Sequence, residues 1–466
     1  MKTIRIIAIL LSSFLLLSCF QDMDDKEQTA STYEIQDFIH RGLNYFYLYK
    51  TDTPELADDY FPDTAAKESF LRQFASPESL FEYLISPQDR FSRLFPDYVV
   101  IENLLAGVSM SNGMEFGLVY FPDNSRNVFG YVRYVLPNSP AADKGLKRGD
   151  LFTGVNGSQL NESNYSQLLS TDSYTIQLAT FNGTSFDLTG EEVALHKVQY
   201  DENPIYRSRI IELEGRKIGY LMYSSFIRRY DTELNDVFGQ FKAEGITDLV
   251  LDLRYNGGGS VETATDLASM ITGQFNGQLF YSEIWNPDRQ EQFGGVGLFD
   301  NKISTGANIN SLNLNQVYIL TTRSSASASE LVINGLNPYI NTVQVGDTTT
   351  GKFQASFLMY DAPAPFFSRS QASPYHTYVM LPLVFKTANK VGHTDFINGL
   401  APHIALKENF FNLGELGDPD EPLLAAALSN MGISPKPQKP HTHFPKPLSG
   451  STEMKTLNGI MTIDNE

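Results

Sequence analysis

The chain has 466 residues, 42% of them apolar and 12% aromatic. That composition excludes a disordered chain, and the length suggests about three domains. The formal charge of −19 excludes nucleic acid as a natural partner, because phosphate binding needs a basic surface.

In chain order, Lys2 and Arg5 lead into an apolar run from Ile6 to Leu17. About a dozen residues cannot span a bilayer as a helix, which needs roughly 20, and the pattern is that of an export signal. The run ends in Leu16-Leu17-Ser18-Cys19, which resembles a bacterial lipobox. That resemblance implies cleavage before Cys19, lipidation of Cys19, and a lipid-anchored location in the cell envelope, on the outer membrane. Cys19 is the single cysteine, so no disulfide within the chain is available. Residues 20–32 are polar and acidic and read as a tether. No later stretch reads as a transmembrane helix.

Residues 33–100 read as a helical N-terminal domain, with Ile35, Phe38, Ile39, Leu43, Phe46 and Tyr47 at three- and four-residue steps. Ser76-Pro77 and Ser86-Pro87 each suit a helix start, with proline at the first helical position. Residues 105–195 change to β-type runs, Phe116 to Phe121 and Val128 to Val135. Then come Asn138-Ser139-Pro140-Ala141-Ala142, Lys144-Gly145-Leu146, Gly149-Asp150 and Val155-Asn156-Gly157. This phrase resembles the PDZ domain of bacterial proteases. The resemblance implies a short helix opened by Pro140 and ended by Gly145, and a tight turn at Asn156-Gly157. PDZ modules add an extended peptide as a strand and catch its terminal carboxylate on backbone N–H groups. The peptide-binding loop would hold Phe116, Gly117 and Leu118, with Glu115 beside them.

Residues 205–430 alternate strands and helices. Strands are expected at 218–226, 247–255, 317–321 and 342–345, and helices at 232–243, 261–271 and 328–336, with a glycine turn at Asn256-Gly257-Gly258-Gly259. Such alternation means an α/β layer structure. From residue 431 to 466 the chain is polar and rich in proline, lysine and histidine, and is expected to be poorly ordered. His441-Thr442-His443 reads as part of that solvated tail and not as a metal site.

Ser327-Ala328-Ser329-Glu330 has the Ser-x-x-Glu form of a helix capping box, which taken alone needs no chemistry. Its surroundings add to it. Leu251-Asp252-Leu253-Arg254-Tyr255-Asn256-Gly257-Gly258-Gly259, the Ser325–Glu330 run and Val345-Gly346-Asp347-Thr348-Thr349-Thr350-Gly351-Lys352 occur in this order. With Asn398-Gly399-Leu400-Ala401-Pro402-His403-Ile404 they resemble the carboxyl-terminal processing protease family. The resemblance covers residues 105–430. It implies a multidomain α/β protein in which a helical cap and a PDZ-like module join a crotonase-like protease core. It also implies a Ser–Lys dyad, with Ser327 as nucleophile and Lys352, 25 residues later, as base.

Serine attacks an amide only with a base beside it, and lysine serves if burial removes its charge. Lowering a lysine from roughly 10.4 to near 7 costs about 4.6 kcal/mol, so Lys352 should lie in a nearly closed apolar pocket without a carboxylate partner. Oxyanion donors would be the Ala328 N–H at the helix start and, by family likeness, Gly258, then Gly257. Many members of the family carry a glutamine four residues after the lysine. Here that place is Ser356, and Gln354 is the candidate to take its role. Tyr220-Leu221-Met222-Tyr223 has no histidine to replace the lysine. No His-Glu-x-x-His or Gly-x-Ser-x-Gly is present. The expected activity is hydrolysis, without cofactor or metal, of protein substrates recruited by their C-terminal tails. The competing expectation is a catalytically inactive peptide- or ligand-binding protein on the same fold.

Overall fold

The computed structural model describes residues 29–434, except Asn124, and 446–463. Cys19, the leader and His441-Thr442-His443 lie outside the described residues. Among those described, no helix is long and apolar enough to cross a membrane.

The helix Thr32–Phe46 starts at Ser31, whose backbone N–H donates to Glu34 while its hydroxyl accepts the Glu34 N–H. Its apolar face (Phe38, Ile39, Leu43, Phe46) is buried in the same core as the central helices. Phe46 packs edge-on against Phe293 and Phe357. The helical unit is therefore fused to the core and is not a detached cap. Ser76 and Pro77 open the helix Pro77–Leu84 as expected. Ser86 and Pro87 do not open a helix: they form a turn closed by Asp89 N–H on Ser86 O at 2.9 Å. Proline suits that turn as well as a first helical turn. The chain then enters the strand Arg93–Phe95, antiparallel to Val379–Leu381.

The β module is a sheet of Met114–Tyr120, Val128–Val135, Leu151–Val155, Ser173–Phe181 and Phe186–His196. Ser139 caps the short helix Pro140–Asp143, Gly145 follows it at φ +76°, and Asn156-Gly157 makes a two-residue hairpin with both φ positive. One of the two six-stranded sheets of the core runs Ile205–Leu213, Arg216–Tyr223, Asp248–Asp252, Gln316–Thr321, Asn341–Gly346, Ile404–Ala405, parallel after its first pair. The helices Asp231–Glu244, Val261–Thr272 and Ala328–Leu336 connect its strands, so every functional motif lies at the carboxyl end of a parallel strand.

The end of the described chain departs from expectation. Residues 447–463 are ordered. Pro447–Gly450 pairs antiparallel with Met114–Tyr120, a short helix spans Ser451–Met454, and Met461–Thr462 enters a second sheet. There it lies between Gly259–Ser260 and Gln354–Ser356. The composition of this segment is polar, but Met461 is fully buried.

Candidate active site

The strand Gln316–Thr321 leads through a loop with Ser324, Ser325 and Ser327 into the helix Ala328–Leu336, whose first turn holds Ser329. Ser325 Oγ donates to Leu253 O at 2.7 Å and Ser329 Oγ to Asn256 O at 3.1 Å. Both therefore pin the loop to the strand and turn that precede the glycines. Ser327 Oγ is buried and has no hydrogen-bond partner. Its backbone sits at φ +66°, ψ −114°, a region costing a non-glycine residue roughly 1–3 kcal/mol and found at functional sites. Of the capping box only the return half engages: Ser327 N–H donates to Glu330 Oε2 at 2.8 Å.

Glu330 is fully buried and accepts four bonds. Besides Ser327 N–H, it takes Lys352 N–H at 2.8 Å, Gly351 N–H at 2.7 Å and the Thr349 hydroxyl at 2.5 Å. Burial pushes its carboxyl up, and these donors oppose that rise. Four donors around two oxygens suit the ionised form.

Lys352 is fully buried, and its Nζ has no hydrogen-bond partner. Burial is the main cause that pushes it down to about 7, against the raising pull of Asp89 and Glu330 and with help from Arg93. Its ammonium position lies 5.5 Å from the centre of the Phe91 ring. Arg90 fastens this cover by donating to Gly351 O at 2.9 Å. The pocket thus comes from the helical N-terminal unit as much as from the core. No hydrogen bond joins Lys352 Nζ to Ser327 Oγ in this arrangement.

Gly258 presses on Ser327: a Cβ there would stand 2.6 Å from Ser327 Cβ and 2.8 Å from its Oγ. Its N–H, the expected second oxyanion donor, instead donates to Asn256 Oδ1 at 2.9 Å. Gly257 N–H has no acceptor among the described residues. Ala328 N–H opens its helix, where no intrahelical acceptor exists. Gln354 does not reach Lys352. Its Nε2 donates to Tyr49 OH at 2.7 Å and its Oε1 accepts Phe353 N–H at 3.3 Å. At Phe116, Gly117 and Leu118 the strand edge is taken by the chain itself: Ser449 and Gly450 stand opposite Leu118 and Gly117, and Phe116 N–H donates to Ser451 Oγ at 2.9 Å.

Behind the glycine turn, Arg254 is fully buried. It binds Asp252 at 2.6 Å, Glu421 at 2.7 Å and Glu408 at 3.3 Å. Arg148 of the β module reaches the same Glu408 at 3.1 Å and Tyr255 OH at 2.8 Å. A cleft of about 800 Å³ opens between module and core, lined among others by Met110, Phe116, Gly258, Ser260, Tyr360 and Leu457. Glu330, Asp89 and Phe91 escaped the reading of the sequence. Glu330 carried a signal, but one that a simple cap explains equally well.

A strained serine at a helix start, a buried lysine without a hydrogen-bond partner and a glycine turn thus meet at the ends of parallel strands. Residues 217–360 match peptidase family S41, and residues 34–93 match the peptidase S41 N-terminal domain. These two stretches are thus similar to peptidase family S41, and curated relatives of the chain include carboxyl-terminal processing proteases. It is 25% identical over 225 residues to the carboxyl-terminal-processing protease of Picosynechococcus sp., covering 47% of this chain and 49% of that one. To the carboxy-terminal processing protease CtpB of Bacillus subtilis it is 24% identical over 289 residues, covering 60% and 53%. The chain spans about half the length of the curated relatives it matches. A crystal structure assigned to the S41 proteases, from Bacteroides fragilis, aligns with a TM-score of 0.66 at 27% identity, over 85% of this chain and 97% of the other.

Proposed function

We propose that this protein is a serine endopeptidase that cleaves peptide bonds of protein substrates with Ser327 as nucleophile and Lys352 as base. The observation that carries the reading is a buried lysine pushed down to about 7, tied through Glu330 to the backbone of a strained serine whose hydroxyl has no partner. A neutral Lys352 amine takes the Ser327 proton as Oγ adds to the carbonyl carbon. The oxyanion receives the Ala328 N–H and, from the turn, the Gly257 N–H. Collapse breaks the C–N bond while Lys352 returns the proton to the leaving amine. Water, deprotonated by the same amine, then releases the acyl group. The module around Met114–His196 acts as a PDZ-like peptide holder on a crotonase-like core, and the run ending in Cys19 supports a lipid-anchored envelope location.

The test is hydrolysis of an unstructured fluorogenic peptide by the chain from residue 20 onward, beside Ser327→Ala and Lys352→Ala. Turnover by the first and loss of at least roughly a thousandfold in both variants is expected. A second reading, a peptide-holding protein without turnover, is favoured by the missing Ser327–Lys352 hydrogen bond. Three equally silent proteins that all bind the peptide would decide for it.

A further inference from the structure

One piece of this chain takes the strand edge of the β module and then forms a wall of the cleft beside Gly258. Pro447–Gly450 adds to Met114–Tyr120 in the antiparallel sense, with Gly450 opposite Gly117. At the next residue Ser451 Oγ accepts Phe116 N–H at 2.9 Å and donates to Glu115 Oε2 at 2.5 Å. Lys455 then reaches Glu115 at 3.0 Å and Glu202 at 3.4 Å. Glu453 holds Arg133 at 3.4 Å and accepts from Ser324, in the nucleophile's own loop. Finally Ile460 O accepts Gly259 N–H at 2.7 Å, and Met461–Thr462 closes the second sheet. A Cβ on Gly258 would lie 2.5 Å from Ile460 O and 2.8 Å from Ser327 Oγ, so the two oxygens flank the same space.

Glu115 decides what kind of ligand fits. It is only 3% exposed and faces the end of the added strand. A free terminal carboxylate at Phe116 N–H would stand against it, and like charges in such a place cost several kcal/mol. A hydroxyl that donates to Glu115, followed four residues later by an ammonium, satisfies it. We propose that the strand edge is built for an internal segment of the form Ser-x-x-x-Lys, with the chain's own 447–463 as its resident. The track to Ser327 is then closed until this segment leaves. The inference rests on the peptidase reading for the identity of the cleft but not for its chemistry.

Binding is measured by fluorescence anisotropy, with every protein in the Ser327→Ala form so that cleavage plays no part. The first probe is a labelled peptide of residues 446–463. A chain ending at Ser434 should bind it at least roughly tenfold more tightly than the full chain, a difference of about 1.4 kcal/mol. The second probe is the same peptide with Lys455→Glu. The full chain carrying Glu115→Lys should bind it at least roughly tenfold more tightly than the full chain carrying Glu115→Lys and Lys455→Glu. Those two proteins share one strand edge and differ only in whether their own segment can reseat. Equal affinity in the second pair overturns the proposal, including the case where neither binds and the case where the shortened chain does not fold.

Discussion

One oxygen of Glu330, Oε2, accepts the backbone N–H of both Ser327 and Lys352, each at 2.8 Å. Residues 25 apart in sequence are thereby fixed to a common buried point, although no hydrogen bond joins their side chains. Glu330→Gln replaces two acceptor oxygens by one acceptor and one donor, and leaves at least one N–H facing an amide NH₂. A loss of about 1–3 kcal/mol in stability is expected, together with a kcat lowered roughly a hundredfold by misplacement. Because Glu330 raises the lysine, its neutralisation should also shift the rising limb of the pH–rate profile to lower pH. A purely structural loss would leave that limb in place.

The pH–rate profile of the unaltered protein should rise through about 7, where Lys352 loses its proton. The same shift sets a stability slope. Between about 7 and the ordinary 10.5 the unfolded chain holds a proton that the folded chain has released. Stability therefore climbs with pH across that window, and the cost of burying the ammonium is complete below it. Lys352→Met should be inactive yet more stable at pH 6, by at most about 5 kcal/mol. The gain should shrink toward pH 10. Urea unfolding at both pH values measures it.

Asp266 gives the opposite slope. Both its oxygens are buried without partners. Burial first, then Asp231, Glu262 and Asp300, push it up to about 8. From about pH 4 to 8 the folded chain keeps a proton that the unfolded chain gives up, so stability falls as pH rises. Asp266→Asn should stabilise the protein at pH 8, by at most about 5 kcal/mol, and change little at pH 4. Thermal melts at the two pH values decide it.

Arg254→Met would leave Asp252, Glu408 and Glu421 facing one another, with Arg148 and, on Glu408, Arg133 to offset them. A loss of roughly 3–5 kcal/mol is expected for breaking such a buried group from one side. The glycine turn follows directly on this residue, so a melting temperature lowered without loss of kcat would contradict the network's role in holding the turn.

The α/β core was legible because its strands are continuous apolar runs, Gly245 ends one core helix and Ser260 caps the next. The first two parallel strands end earlier than expected: residues 224–226 leave the sheet after Tyr223, and Leu253, Arg254 and Tyr255 leave it to build the turn. The failures have a common cause. Ser86-Pro87 and Ser76-Pro77 share letters, and only the packing of Tyr47 against the Asp89 loop separates turn from helix. The segment from Pro447 has the composition of a free tail, and its order comes from pairing with strands more than 100 residues away. Glu330 has the letters of a cap, while three of its four donors lie 19 to 22 residues further on. Gln354 was placed by likeness alone, and Tyr49 claims it.

The cover on Lys352 has its own consequence. Asp89, Arg90 and Phe91 belong to the unit that comes first in the chain, whereas the lysine belongs to the last large one. A core cut free of its first hundred residues would admit water to the amine and return it to an ordinary ammonium. Basicity here is a product of assembly: the lowered affinity of Lys352 for its proton belongs to neither unit alone and arises only when residues 89–91 close over it.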